Sequence, residues 1–296
     1  MNSVSQTVAL LLRVLAGAAL AVALAATAHA QTSGGTLGKI KSSGTITLGY
    51  RDNSTPFSFT EAAKQDPIGY SVDLCREVAD GIRRDLKLAD LKIRWVPVTI
   101  GDRIKMVADG KVDIECGSTT NTLSRRATVD FSLPTFIDGG SYIAKAGANL
   151  DRLKDLDGKK VGVVAGSSTE KALEAAATRV FAKPVIVHVK DHDEGFQAMQ
   201  DGKIDAYASD RIILFGLVVK ANADLKNYFL LVDLYSYEPY GLMMRRDPDF
   251  RLAVDRQLAR LYRSGEIVKV FGRWFGALGE PPDLLKAMFI LNSYPE

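Results

Sequence analysis

Asp109-Gly110-Lys111-Val112-Asp113-Ile114-Glu115 runs into Cys116-Gly117-Ser118-Thr119-Thr120-Asn121, and ninety-two residues later Asp201-Gly202-Lys203-Ile204-Asp205-Ala206-Tyr207 runs into Ala208-Ser209-Asp210-Arg211. In each copy an amphipathic stretch stops at Asp-Gly, a brief strand with an apolar residue at every second position follows, and small hydroxyl or charged residues close it. Ser118 and Asp210 each stand eight residues past their glycine. The repeat therefore predicts two similar α/β lobes that present matching strand ends. Ligands of open α/β sheets bind outside the carboxyl ends of strands, so two such lobes facing one another would make a cleft.

Outward from the repeat, Thr45 to Arg51 alternates as a strand, Asp52 to Asp66 is loop-like, and Gly69-Tyr70-Ser71 opens a helix to about Leu86. Leu91 to Pro97 is a second strand. The order restarts with a buried strand at Lys159–Gly166, a helix at Ser167–Thr178, a strand at Val185–Val189 and a helix at Glu194–Gln200. Alternation of this kind indicates mixed α/β sheets. Phe136–Lys145 and Leu234–Met244 read as extended crossings between the lobes. Asp247-Pro248-Asp249 caps a helix through Arg263, and another follows to Phe275; both are expected to pack on the first lobe. A helix is also expected over Leu37–Ser43.

The N-terminus carries Arg13 as its one charge before Lys39, an apolar run from Val14 to Ala26, and the small-residue exit Ala28-His29-Ala30. This is the pattern of a cleavable signal peptide over residues 1–30. Its removal takes the formal charge from +3 to +2 by loss of Arg13, too balanced for nucleic acid. Cys75 and Cys116 are the only cysteines. In an oxidising compartment they either pair or remain as buried free thiols, and the sequence leaves both open.

Several residues are candidates for chemistry. Thr120 and Arg125 place a hydroxyl at a strand exit and a guanidinium in the next helix, where a planar fork matches a carboxylate and helix N–H groups add partial positive charge. Ser167 and Glu170 are spaced as a capping box, which frees Ser168 to offer a hydroxyl from the second lobe. Arg51 ends the first strand, Arg103 precedes the helix before the first Asp-Gly turn, and His192, between Asp191 and Asp193, is either a loop histidine of no consequence or a charge partner tuned by those acids. His188 and His192 lack a third metal ligand nearby, so no metal is expected. No Walker loop, G-x-S-x-G elbow, H-E-x-x-H or G-x-G-x-x-G is present.

Leu48-Gly49-Tyr50-Arg51 with Pro56-Phe57-Ser58, Glu115-Cys116-Gly117-Ser118-Thr119-Thr120-Asn121 with Arg125, and Lys190-Asp191-His192 with Asp210 resemble the periplasmic amino-acid-binding proteins of ABC importers, especially the glutamate/aspartate-binding group. The likeness runs from about Leu37 to Phe275. It implies a two-lobed type II periplasmic-binding-protein fold, with residues 37–139 plus 241–296 as the first lobe and 140–240 as the second. It also implies a periplasmic, monomeric, cofactor-free protein that binds an acidic amino acid and delivers it to a membrane permease. By the resemblance, Arg125, Thr120 and Ser168 clamp the α-carboxylate, Asp210 with Ser118 receives the α-ammonium, and Arg51, Arg103 and His192 receive the side-chain carboxylate. Ile100 stands where that group carries a serine, and Arg211 where it carries an acid. The charge count agrees with an acidic ligand, since Arg51, Arg103 and Arg125 against Asp210 leave a surplus of two positive charges. The alternatives are a cyclohexadienyl dehydratase-like enzyme on the same fold, using His192 or a cleft acid to protonate a leaving hydroxyl, and the sensor module of a receptor, disfavoured because no transmembrane segment follows in the sequence.

Overall fold

The computed structural model describes residues 34–61 and 64–295. The expected signal peptide lies outside the described residues. Helix α1 (Gly35–Ser43) belongs to a separate compact unit, and everything below concerns the unit that begins at Gly44. Among the described residues no helix is long and apolar enough to cross a membrane.

The first half of this unit contains β1 (Thr45–Tyr50), a hairpin of β2 (Asn53–Ser54) and β3 (Ser58–Phe59), α2 (Tyr70–Asp85), β4 (Lys92–Pro97), α3 (Arg103–Ala108), β5 (Ile114–Glu115), α4 (Leu123–Arg126) and β6 (Asp130–Asp138). The chain then passes to β7 (Gly140–Lys145), β8 (Lys160–Val164), α5 (Ser168–Arg179), β9 (Val185–Val189), α6 (His192–Gln200), β10 (Ala206–Asp210), α7 (Arg211–Lys220) and β11 (Tyr228–Leu230). It returns through β12 (Glu238–Met244) to α8 (Pro248–Ser264), α9 (Glu266–Phe275) and α10 (Asp283–Leu291). One sheet has the order β4-β1-β5-β12-β6 and the other β9-β8-β10-β7-β11. In each, three parallel strands are followed by two joined antiparallel. The unit from Gly44 is thus two-lobed, with mixed sheets flanked by helices, as the repeat foretells.

The repeated sequence is explained residue by residue. Gly110 and Gly202 follow α3 and α6 with φ of 71° and 73°, left-handed values that favour glycine. The next amide reaches back five residues in both copies, Lys111 to the Met106 carbonyl at 3.0 Å and Lys203 to Ala198 at 2.9 Å, a glycine-terminated helix end. The second acid then fastens the strand. Asp113 Oδ2 accepts from the Thr47 amide at 2.8 Å and Asp205 Oδ2 from the Lys160 amide at 2.7 Å. Both aspartates are therefore structural, and β5 and β10 occupy equivalent places.

Cores form on both sheets. Val107, Val112, Val129, Phe131 and Met243 pack in the first, and Tyr142, Val161, Val163, Leu173 and Ala206 in the second. Beneath the crossing strands lies an aromatic cluster of Phe57, Tyr70, Phe136, Tyr240 and Phe275, with Phe57 4.9 to 6.2 Å from the other four ring centres. Helices α8 and α9 tie back to the first sheet and α2. Asp255 Oδ1 accepts from the Leu133 amide, Tyr262 donates to the Pro134 carbonyl, and Trp274 Nε1 donates to Asp73.

Cys75 on α2 and Cys116 just beyond β5 form a disulfide, with Cα atoms 6.1 Å apart and a separation of 41 positions in sequence. The alternative of buried free thiols is excluded. Closing a loop of that length stabilises a fold by about 2–4 kcal/mol, chiefly through the unfolded chain. The Cys75→Ala/Cys116→Ala pair should lose about that much in denaturant titration, and an unchanged midpoint would contradict it.

Candidate functional site

Every principal wall of the cleft is built at a strand's carboxyl end. Arg51 follows β1, Ser118 follows β5, and Arg103 is the first residue of α3, not a residue before it. From the second lobe come Thr169 on the first turn of α5, His192 opening α6, and Asp210 closing β10. Arg51, Arg103, Ser118, His192 and Asp210 line one cavity together with Ile100, Thr169 and Tyr207, with open space of about 20 Å³, room for about one water molecule. Thr120, Arg125 and Ser168 line an adjoining opening with Glu238, and Arg125 is near enough to feel Arg103, Glu238 and Asp210.

The lobes meet directly at Thr120 Oγ1 and Ser168 Oγ, 2.9 Å apart. Thr120 is held by bridging to Tyr240 of β12, and its carbonyl accepts from Arg125 Nη1 at 2.8 Å. Arg125 is thereby aimed from a four-residue helix whose cap, Thr122, accepts its amide. So short a helix supplies little dipole, and the guanidinium itself is the cation here. Arg126 turns outward to Asn121. Ser167 caps α5 by accepting from the Glu170 amide, but Glu170 takes the Gly166 amide and not that of Ser167, so half of the expected capping box is displaced by one residue.

Asp210 is buried, with Oδ1 accepting from Thr169 at 2.8 Å and Oδ2 from Tyr240. Burial and the nearby Glu238 push its carboxyl up to about 6, against the hydrogen bonds and Arg125. Asp138, at the end of β6, is raised well above the carboxylate range by burial and then by Asp210. Arg51 and Arg125 are each lowered to about 10 by burial and then by Arg103, and Arg103 is lowered by burial. All three remain cations at neutral pH.

His192 is buried, and its Nδ1 lies 2.7 Å from the Tyr207 hydroxyl. Burial, then Arg51, Arg103 and Lys220, lower it to about 3. It is neutral, chiefly because it is buried and next because cations surround it, and Asp191 and Asp193 are not among the groups that shift it. His188 is elsewhere, on Glu170 Oε1 at 2.6 Å. Arg211 leaves the cavity and binds the carbonyls of Leu231 and Val232.

One sequence argument needs correction. The surplus of two positive charges omits Glu115, fully buried, and Glu238, 3% exposed. Glu115 is among the charges acting on Arg51 and Arg103, so that end carries +1. Glu238 lies with Arg125 and Asp210 at the other. Thr169, Tyr207 and Tyr240 were also missed. Thr169 follows directly from the hydroxyl run Ser167-Ser168-Thr169, whereas the tyrosines reach the cleft from positions that read as core.

Two lobes, each an α/β sheet, that enclose a polar cavity at their strand ends define a ligand-binding protein. The chain belongs to the bacterial extracellular solute-binding proteins, family 3, whose profile matches residues 46–277. It is similar to the L-glutamate/L-aspartate-binding protein of Pseudomonas aeruginosa, 39% identical over 88% of this chain and 86% of that one. It is also similar to the glutamate/aspartate import solute-binding protein of Escherichia coli, 33% identical over 83% and 81%. Among solved structures, an ancestral amino-acid-binding protein described as a precursor of cyclohexadienyl dehydratase superposes with a TM-score of 0.70 at 27% identity, covering 81% of this chain and 99% of that one.

Proposed function

We propose that the protein captures an acidic L-amino acid, glutamate or aspartate, in the periplasm and presents it to the membrane permease of an ABC importer. The observation that carries this reading is the Thr120–Ser168 contact between the lobes, flanked by Arg125 and by Asp210. A carboxylate that accepts from those hydroxyls, in place of the hydrogen bond they now make to each other, meets the Arg125 fork, and the ligand's ammonium meets Asp210 and Ser118. Arg51, Arg103 and His192 then face the side chain. Neutral His192 serves as a hydrogen-bonding group to the distal carboxylate. Closure follows from contacts that the ligand makes with both lobes only when they are together.

The dehydratase alternative draws no support from His192, because an imidazole held at about 3 carries no proton to give at neutral pH.

Calorimetry on the mature chain tests the reading. Glutamate or aspartate should bind with a micromolar or tighter dissociation constant, about −8.2 kcal/mol or beyond, and neutral and basic amino acids more weakly. Because the ammonium favours ionised Asp210, affinity should be full above about pH 6 and decline as pH falls through it, approaching roughly tenfold per unit. Absence of binding by either acid refutes the function; a flat profile from pH 7.5 to 5 refutes the role of Asp210.

A further inference from the structure

Glu115 ends β5 with its side chain wholly excluded from solvent. Neither carboxylate oxygen has a hydrogen-bond partner among the described residues. A β-carbon built on Gly117 would fall 2.2 Å from Glu115 Oε1 and 3.0 Å from Arg51 Cγ, so acid and arginine share the space that this glycine leaves. Arg103 feels the same carboxylate. Arg51 Nη1 and Arg103 Nε are likewise buried without partners. A buried charge is costly unless opposite charge lies close. Glu115 therefore offsets the mutual repulsion of the two guanidiniums at the distal end of the cavity. His192 adds no charge there. Asp102 also acts on both arginines, but it is exposed and bound to the Thr99 amide, where water screens it; buried Asp210 acts on Arg103 from the end assigned to the ligand's ammonium, and Glu115 reaches Arg125 as well.

We propose that Glu115 sets how many negative charges the ligand's side chain carries: by cancelling one guanidinium it leaves the distal end at +1, which a carboxylate matches and a dianion exceeds. The inference rests on the acidic-amino-acid reading above. Glu115 acts through Arg51 and Arg103, as a positioning residue for charge and not as a contact to the ligand.

The test is calorimetry with glutamate, glutamine and 2-amino-4-phosphonobutanoate near pH 8, where the phosphonate is a dianion. In Glu115→Gln the phosphonate-to-glutamate affinity ratio should rise by about tenfold or more, the scale of one full charge in a buried site, and the preference for glutamate over glutamine should widen. Glu115→Asp should keep the wild-type ratios. Parallel weakening of all three ligands in Glu115→Gln, or unchanged ratios, would overturn the inference and leave Glu115 a buttress. Should Glu115→Gln not fold, Arg51→Gln decides: with Glu115 counted the distal end falls to zero and glutamine becomes preferred, whereas a persisting glutamate preference overturns the count. The wild-type titration comes first. Failure of acidic amino acids to bind there would overturn the proposed function and this inference together, while altered or unaltered ratios on a working wild type bear on Glu115 alone.

Discussion

Arg125→Ala is expected to weaken binding of an acidic amino acid by roughly 2–5 kcal/mol, a loss of about thirtyfold to several thousandfold. The reason is geometric. Arg125 is buried beside the inter-lobe contact and fixed by the Thr120 carbonyl, so truncation leaves the ligand's α-carboxylate in a dry cleft with hydroxyls only. Arg125→Lys restores the charge without the planar fork and should recover part of the loss. Unchanged calorimetric affinity in Arg125→Ala would remove this residue from the site. The effect should appear with both glutamate and aspartate, because it concerns the end that the two share.

Phe57→Ala is expected to cost about 3–5 kcal/mol of folding stability, without any change to a group that lines the cavity. Phe57 is fully buried and has four aromatic neighbours, two of which, Phe136 and Tyr240, lie on the strands through which the chain passes between lobes. Removing its ring opens a cavity under both strands at once, and the surrounding rings also lose edge-to-face contacts. Urea titration followed by tryptophan fluorescence would measure the loss; a shift below about 1 kcal/mol would show that the cluster closes over the gap. Tyr240 also donates to Asp210, so some weakening of ligand affinity should accompany the loss of stability.

Local rules made much of this architecture legible in advance. Asp-Gly is a helix stop wherever it falls, and the strand after it must exit at a sheet's carboxyl edge, which placed Ser118 and Asp210 in one cavity from spacing alone. Hydroxyls at a helix start, as at Ser167-Ser168, were similarly readable. What escaped depends on side-chain direction in three dimensions. Glu115 lies inside the very motif that drew attention, yet only the folded backbone shows its carboxylate turned toward Arg51. Tyr240 and Glu238 sit in an apolar-looking return strand, where the Tyr240 hydroxyl donates to Asp210 and Glu238, bound to Ser236, lies near enough to raise it. The β2–β3 hairpin was too short to alternate visibly. Helix α10, apolar at Leu284, Leu285, Met288, Phe289 and Ile290, lies beyond the last element the spacing predicts.

The Cys75–Cys116 bridge joins two elements of a single lobe, and the polypeptide passes between lobes at Gly139 and in the stretch from Leu231 to Tyr237. No sulfur bond straddles the jaws. Exposure to a reductant should consequently shorten the molecule's life in heat or protease while its grip and release continue at native amplitude, so durability and cycling answer to different chemical conditions.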